Sequence, residues 1–317
     1  MLRQRLHVHT AIIVNRNAGS MRRDPQLADR MRSDCGSQAT VHLTSDLAEL
    51  REVCADAAAR GVSTVGVVGG DGTASATLTE LWRAYGEQTR PQIAFLRGGT
   101  MNTVAGSIGI SQSGPSELLR RTLCALRQPD RLRTRPRPVM IIGDRLGFLF
   151  GTGVWYGYIA ESYKDGAPTR MTNATVLGRV IASAAVKGET FSRLFSKTPL
   201  SVRFAGGSWE PRPYLTVAAG TVADAGFGFR PFHQALDTER AFQILALKGT
   251  AGDVLRDLPR VWFGRGFGHH TAYDVTTTWA ELRAESGSFG YSVDGDVSTA
   301  QGSLRLELGP VFHFLRI

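Results

Sequence analysis

Apolar runs alternate with amphipathic stretches through residues 10–130. Thr10 to Val14 is a short β-branched run that predicts a buried strand. It is ended by the polar turn Asn15-Arg16-Asn17-Ala18-Gly19-Ser20. Thr40 to Leu43 predicts a second strand. Leu47, Leu50, Val53, Cys54, Ala57 and Ala58 then recur at helical spacing. Asp46 with Glu49 marks the start of that helix and Gly61 its end. Val62 to Val68 predicts a third strand, Ala74 to Ala84 a helix, Gln92 to Leu96 a fourth strand, and Ser116 to Arg127 a further helix. Repeated strand–loop–helix units imply a parallel sheet that binds its ligand at the C-terminal ends of the strands.

The pattern changes near Asp130. Arg131-Leu132-Arg133-Thr134-Arg135-Pro136-Arg137-Pro138 is charged and proline-interrupted, and reads as a linker or crossover. Val139 to Ile142, the turn Gly143-Asp144, and Arg145 to Phe150 then read as a hairpin. Leu200 to Phe204, Tyr214 to Ala218, Phe242 to Leu247, Tyr273 to Thr278 and Leu304 to Leu308 predict more strands, and Thr172 to Lys187 one helix. The expected architecture is an α/β N-terminal domain with a parallel sheet, residues 8–130. A mostly antiparallel β-sandwich domain follows, residues 131–317, whose last strand is free to return to the first domain.

A chain of 317 residues with 42% hydrophobic positions has enough apolar surface for two modest domains, which excludes a disordered chain. The net charge of +9 favours anionic partners: nucleotide, nucleic acid or an acidic membrane surface. A solvated, arginine-rich surface explains the same number, and the arginines between Arg120 and Arg137 fit either account. Cys35, Cys54 and Cys124 form no C-x-x-C pair, as in a reduced cytosolic protein without zinc. Ala11 to Val14 is too short for a secretory core, and the apolar stretch Val139 to Ala160 is broken by Asp144, Arg145 and glycines. The expectation is a cytoplasmic protein whose membrane contact, if any, is peripheral.

Candidate chemistry concentrates in three polar glycine loops after predicted strands: Asn15–Ser20, Gly69-Gly70-Asp71-Gly72-Thr73, and Arg97-Gly98-Gly99-Thr100-Met101-Asn102. Glycines let backbone N–H groups approach a phosphate, and a helix N-terminus adds partial positive charge. The carboxylate of Asp71 cannot hold a phosphate itself; it needs a cation between them or a proton to accept. Neither G-x-x-x-x-G-K-[ST] nor an early G-x-G-x-x-G is present, which excludes a P-loop and disfavours ordinary dinucleotide binding.

These loops carry a family resemblance. Asn15-Arg16-Asn17-Ala18-Gly19, Gly69-Gly70-Asp71-Gly72-Thr73, Gly99-Thr100-Met101-Asn102 followed by Gly109-Ile110, and a late Asp294-Gly295-Asp296 occur in the order of the diacylglycerol kinase catalytic-domain family. That family includes bacterial lipid kinases and sphingosine and ceramide kinases. Gly-Gly-Asp-Gly-Thr is shared with NAD kinases and phosphofructokinases. Gly-Thr-x-Asn points more narrowly to the lipid kinases.

The resemblance implies an ATP- and Mg²⁺-dependent lipid kinase acting on a hydroxyl such as that of diacylglycerol. Asn15, Asn17, Thr44, Gly69, Gly70, Asp71, Gly72, Thr73, Thr100 and Asn102 would form the nucleotide site, with Asp71 in the metal–phosphate network. Asp296 falls where the family has its proton acceptor. A structural magnesium would take Glu239 with the carbonyls of Leu236 and Ala241. The implied partners are a lipid substrate and, by peripheral contact, the inner face of an anionic membrane. No nucleic-acid reader motif is present, and a homodimer stays open. Trp155, Tyr156 and Tyr158 fit a lipid pocket or core packing equally.

Three positions depart from the family pattern. Asp296 stands for the usual glutamate, Leu236-Asp237-Thr238-Glu239 for Leu-Asp-Asp-Gly, and Ala219-Gly220 for Gly-Asn. Two alternatives therefore remain: a catalytically impaired nucleotide- or lipid-binding relative, and a soluble-substrate kinase resembling NAD kinase.

Overall fold

The computed structural model describes residues 10–162, 197–237 and 239–317. The chain forms two compact units. One runs to Arg137 and regains Val311–Ile317; the other is Pro138–Pro310. The expected helix at Thr172–Lys187 lies outside the described residues.

The first unit alternates β1 (Thr10–Asn15), α1 (Gly19–Arg23), α2 (Leu27–Cys35), β2 (Ala39–Thr44), α3 (Leu47–Ala59), β3 (Thr64–Val68), α4 (Asp71–Tyr85), β4 (Gln92–Phe95), α5 (Thr103–Ser107) and α6 (Pro115–Leu126). The strands lie in the order β4-β3-β1-β2, all parallel. Ile12, Ile13, Val14, Val65 and Val68 are buried, because a parallel sheet is covered on both faces and its strands read as continuous apolar runs. The start of α3 is where the sequence places it: Asp46 accepts a hydrogen bond from the Glu49 amide, and Glu49 accepts one from the Ser45 amide. Gly61 follows that helix at φ 62°, a conformation glycine adopts without a Cβ penalty.

The second unit comprises β5 (Thr134–Ile142, which begins in the first unit), β6 (Arg145–Gly147), β7 (Leu149–Thr152), α7 (Val154–Ser162), β8 (Thr198–Phe204), β9 (Gly207–Tyr214), β10 (Thr216–Gly220), β11 (Phe242–Leu247), α8 (Ala251–Trp262), β12 (Ala272–Thr277), β13 (Trp279–Val293) and β14 (Asp296–Leu315). It is antiparallel and β-rich, with β12-β11-β10-β7-β13-β14 as its path. Phe150, Tyr214, Phe242, Ile244, Leu282 and Leu306 fill its core. The last residues of β14 pair with β4, Phe314 opposite Ile93, so the chain's final strand serves the first unit.

One sequence expectation changes, and one strand falls outside the expected set. The proline-rich linker is instead half strand: β5 already starts at Thr134. Strand φ values suit Pro136 and Pro138, and β5 pairs with β6 only from Met140 onward, beyond both prolines. β9, with Pro211 and Pro213, escapes a propensity reading for the same reason; it pairs with β8 alone.

The β13–β14 turn sets the geometry of the late acidic motif. Val293 pairs with Asp296, leaving Asp294 at φ 49° and Gly295 at φ 95° between them. Two left-handed residues joining two strands are the pattern of a type I′ hairpin, which favours Asp-Gly. The Asp294 side chain is buried and accepts hydrogen bonds from the amides of Phe148 (3.0 Å) and Leu149 (2.9 Å). It therefore pins the β6–β7 junction to the hairpin.

Replacing Asp294 by Ala orphans both amides and puts a Cβ without a local hydrogen bond at positive φ. Thermal denaturation should show a loss of about 2–4 kcal/mol, and Asp294→Asn should recover part of it. An Ala variant as stable as the parent would show that these amides need no partner.

Candidate active site

The three glycine loops of the first unit meet as one structure. Asn15 ends β1 and donates from Nδ2 to the hydroxyl of Thr73 at 2.8 Å, which ties the first loop to the second. Its Oδ1 accepts the Asn17 amide, and Asn17 donates to the Ser45 carbonyl after β2. Thr44 is buried beside Asn15 at the end of β2. The Ser20 amide donates to the Gly98 carbonyl at 2.9 Å, joining the first loop to the third. The Oγ of Ser20 is buried without a hydrogen-bond partner among the described residues.

The second and third loops touch backbone to backbone. A Cβ on Gly99 would lie 2.2 Å from the Cα of Gly70, and one on Gly98 would lie 2.7 Å from the Gly69 nitrogen. A Cβ on Gly69 would strike the Thr73 side chain at 2.4 Å. No other residue type fits there. Asn102 holds the third loop closed at φ 51°: its Oδ1 accepts the Gly99 amide and its Nδ2 donates to the Gly99 carbonyl. Asparagine tolerates that left-handed conformation better than most residues.

Asp71 does something the sequence did not reveal. It is the first residue of α4, yet its carboxylate accepts hydrogen bonds from the amides of Thr103 (2.9 Å) and Val104 (3.0 Å), which open α5. Asn102 stands at the cap position of α5 but makes no cap bond, because its side chain serves Gly99. Asp71 thus caps a neighbouring helix. Burial pushes its carboxyl above the ordinary aspartate value, opposed by the Thr103 and Val104 bonds and by the Arg97 guanidinium. Asp71 thereby holds the start of α5 against the start of α4.

Gly70 stands at the cap position of α4, so the start of that helix has no side-chain cap. Unclaimed N–H groups beside Cβ-free backbone make a cradle that fits the phosphates of a nucleotide. A magnesium cage is a different matter. Among the described residues no three His, Cys, Asp or Glu side chains converge. Glu239 is exposed beside the exposed Arg240, so with the Leu236 and Ala241 carbonyls it offers a single carboxylate. His269 and His270 are likewise exposed.

Residues 9–130 match the family model of the diacylglycerol kinase catalytic domain. This domain belongs to the diacylglycerol kinase catalytic-domain family. A solved diacylglycerol kinase from Bacillus anthracis str. Sterne superposes with a TM-score of 0.66 at 15% identity, covering 98% of this chain and 97% of that one. Another structure from that organism, assigned to the same class, reaches 0.72 at 16% identity over 98% and 97%. Yeast NADH kinase complexed with NADH reaches 0.50 at 10% identity over 98% and 84%. At these identities the likeness is one of fold. No curated protein matches the chain.

The second unit carries the late acidic turn and an apolar cavity. Asp294 is consumed by backbone amides, whereas Asp296 is about 53% exposed and its carboxylate lies 3.7 Å from an Arg145 nitrogen. Partial burial raises the Asp296 carboxyl above the ordinary value, and Arg145 pulls it down. The cavity holds about 230 Å³ between α7, α8 and the β10–β11 sheet, lined by Trp155, Tyr158, Leu215, Leu247, Leu258 and Trp262 among others. Tyr156 is not part of it; its ring packs where a Cβ on Gly290 would be, 2.5 Å away. Gly220, which with Ala219 stands where the family pattern has Gly-Asn, leaves room for the Phe232 ring. Among the described residues no helix is long and apolar enough to cross a membrane.

Sequence reasoning passed over Ser20, Arg97 and Arg145. Arg97 had a signal, since it opens the third loop; its φ is 45° and its guanidinium donates to the Ile110 carbonyl. Arg145 had none, because its partner lies 151 positions along the chain.

Gly99→Ala should lower nucleotide affinity at least about tenfold by calorimetry, since its new methyl overlaps the Gly70 backbone and displaces the cradle. Asp71→Ala should cost about 2–4 kcal/mol of thermal stability from two uncapped amides, and weaken nucleotide binding with it. Unchanged affinity in both variants would remove the nucleotide from this rim.

Proposed function

We propose that the chain is an ATP-dependent kinase that transfers the γ-phosphoryl group to the hydroxyl of a lipid alcohol such as diacylglycerol. The observation that carries this reading is the close-packed pair of turns Gly69-Gly70 and Gly98-Gly99 at the uncapped start of α4. Phosphoryl transfer asks a protein chiefly to position a phosphate and stabilise its charge, and such a cradle serves that need. Asn15, Asn17, Thr44, Thr73 and Thr100 surround the cradle as nucleotide contacts. Asp71 and Asn102 keep it in shape.

A lipid hydroxyl is a poor nucleophile. Asp296 takes its proton as the alcohol oxygen bonds to the γ-phosphorus, and the bond to the β-phosphate oxygen breaks with its electron pair leaving on ADP. Magnesium, bound with the nucleotide, would neutralise phosphate charge, as is usual for an ion held by one or two carboxylates and substrate phosphates. The apolar cavity of the second unit supports a hydrocarbon tail on the acceptor, because its walls offer Trp, Tyr and Leu side chains. Glu239 with the Leu236 and Ala241 carbonyls remains the proposed site of a structural magnesium.

The test is transfer of labelled γ-phosphate from ATP to diacylglycerol, monoacylglycerol, sphingosine and ceramide in micelles, with NAD as a soluble acceptor. Labelling of a lipid is the expected result. Transfer to NAD alone would replace the reading by an NAD-kinase-like one, and no transfer with ATP still bound would make the chain a non-catalytic relative. Asp296→Asn should lower the rate roughly 10²–10⁴-fold with little change in nucleotide affinity.

The pH profile gives an independent check. Asp296 acts as a base only when ionised, so the rate falls as pH drops through its pKa. Because that value is raised, the acid limb should lie above the ordinary aspartate value of about 3.9. Arg145→Gln removes the group that favours the ionised form, so the limb should move higher still. A limb that ignores Arg145 would detach Asp296 from the chemistry.

A further inference from the structure

The outer end of α8 and the loop facing it form a surface that the kinase reading does not require. The loop turns through Gly226, Phe227 and Gly228 at φ 114°, 53° and 76°. A bulky aromatic residue in the left-handed region is a strained choice. The loop is nonetheless closed firmly: the Ala225 amide donates to the Phe229 carbonyl, and Asp224 accepts the Gly226 amide. It packs on Trp262, whose indole nitrogen would lie 3.4 Å from a Cβ on Gly228, and the rings of Phe229 and Trp262 meet edge to face at 6.1 Å. Three large apolar side chains emerge together there: Phe227 is 38% exposed, Trp262 44% and Phe263 80%.

The same edge is basic. Arg230, Arg256, Arg260 and Arg265 are all exposed. Among the described residues only Arg256 of these has a carboxylate partner, Asp253 at 3.6 Å. The acidic side chains of this region are drawn into the backbone instead. Asp253 closes the capping box of α8, Asp257 accepts the Gly268 amide, and Asp224 holds the loop. Along α8, Val254, Leu258 and Trp262 line the apolar cavity, while Arg256 and Arg260 lie on the opposite, exposed face. Phe227 and Trp262 belong both to the cavity wall and to the exposed edge, so the apolar interior runs out to this surface.

Exposed aromatic rings beside exposed arginines, three of them without a carboxylate partner among the described residues, match one kind of partner: a layer that is apolar beneath and anionic at its face. We propose that this edge, from Phe227 and Arg230 to Arg265, docks on an anionic phospholipid bilayer. Phe227, Trp262 and Phe263 enter the headgroup boundary and the arginines lie on lipid phosphates. A protein partner would call for matched carboxylates or a flat apolar face, whereas this edge presents exposed aromatic side chains beside exposed arginines. The proposal stands without the kinase reading, since docking needs neither nucleotide nor transfer.

The experiment is flotation of the full chain, without nucleotide, on vesicles of phosphatidylcholine alone or mixed with phosphatidylglycerol. Binding to the mixed vesicles, weakened by salt, is expected. Phe263→Asp should reduce partition at least about tenfold. Arg260→Gln with Arg265→Gln should reduce it on the order of thirtyfold and flatten the salt dependence. Phe263, Arg260 and Arg265 are exposed and outside the cavity wall, so circular dichroism should match the parent in each variant. Wild-type protein that ignores anionic vesicles, or variants that bind as well as the parent, would overturn the proposal. So would a chain that sediments as a dimer, loses the dimer in Phe263→Asp, and floats unchanged; the edge would then belong to a second copy. Loss of flotation with phosphorylation of a water-soluble short-chain acceptor intact separates this surface from the reaction.

Discussion

The first unit depends on a carboxylate that spans two helices. Asp71 begins α4 and caps α5, so one side chain binds the second glycine loop to the segment that follows the third. Its oxygens are committed to the Thr103 and Val104 amides, and with glycine at the cap position the start of α4 has no side-chain cap. An aspartate at a helix start ordinarily stabilises its own helix. Here it stabilises a neighbour, and the vacated end becomes a place where a phosphate is the natural complement. The glycine contacts add a steric limit: with Gly70 and Gly99 backbone to backbone, neither loop can move or gain a side chain without moving the other.

The second unit divides its acidic pair in a comparable way. Asp294 and Asp296 are two residues apart and flank one glycine, yet a type I′ turn sends them to different duties. Asp294 turns inward to two amides. Asp296 begins β14 on the open side, near a single arginine. A buried carboxylate that accepts backbone hydrogen bonds is a structural element, while a half-exposed one with raised affinity for protons is chemically available. The same economy of acids recurs along α8, where Asp253 and Asp257 serve the backbone and leave the arginines in control of the surface charge.

Much of the fold was legible because the relevant physics is local. β-branched runs such as Val65–Val68 predict buried parallel strands, Asp46 with Glu49 marks a helix start, and Asp294-Gly295 between valine-flanked strands marks a hairpin. The three glycine loops were legible for the same reason, since each follows its own strand. Departures arose where neighbours decided the outcome. Pro136 and Pro138 look like linker residues but lie in β5 ahead of its β6 ladder, and β9, with its two prolines, becomes a strand through pairing with β8.

The sequence by itself determined the order of elements, the glycine positions and the acidic turn, because propensity, periodicity and turn chemistry act over a few residues. Only the tertiary structure decided which partner each polar group would have. That Asp71 meets Thr103, Asp294 meets Phe148 and Leu149, and Asp296 meets Arg145 follows from strands paired across long separations. Hydrogen bonds and ion pairs act only at contact, so the role of a carboxylate is set by what the fold brings within about 3–4 Å of it.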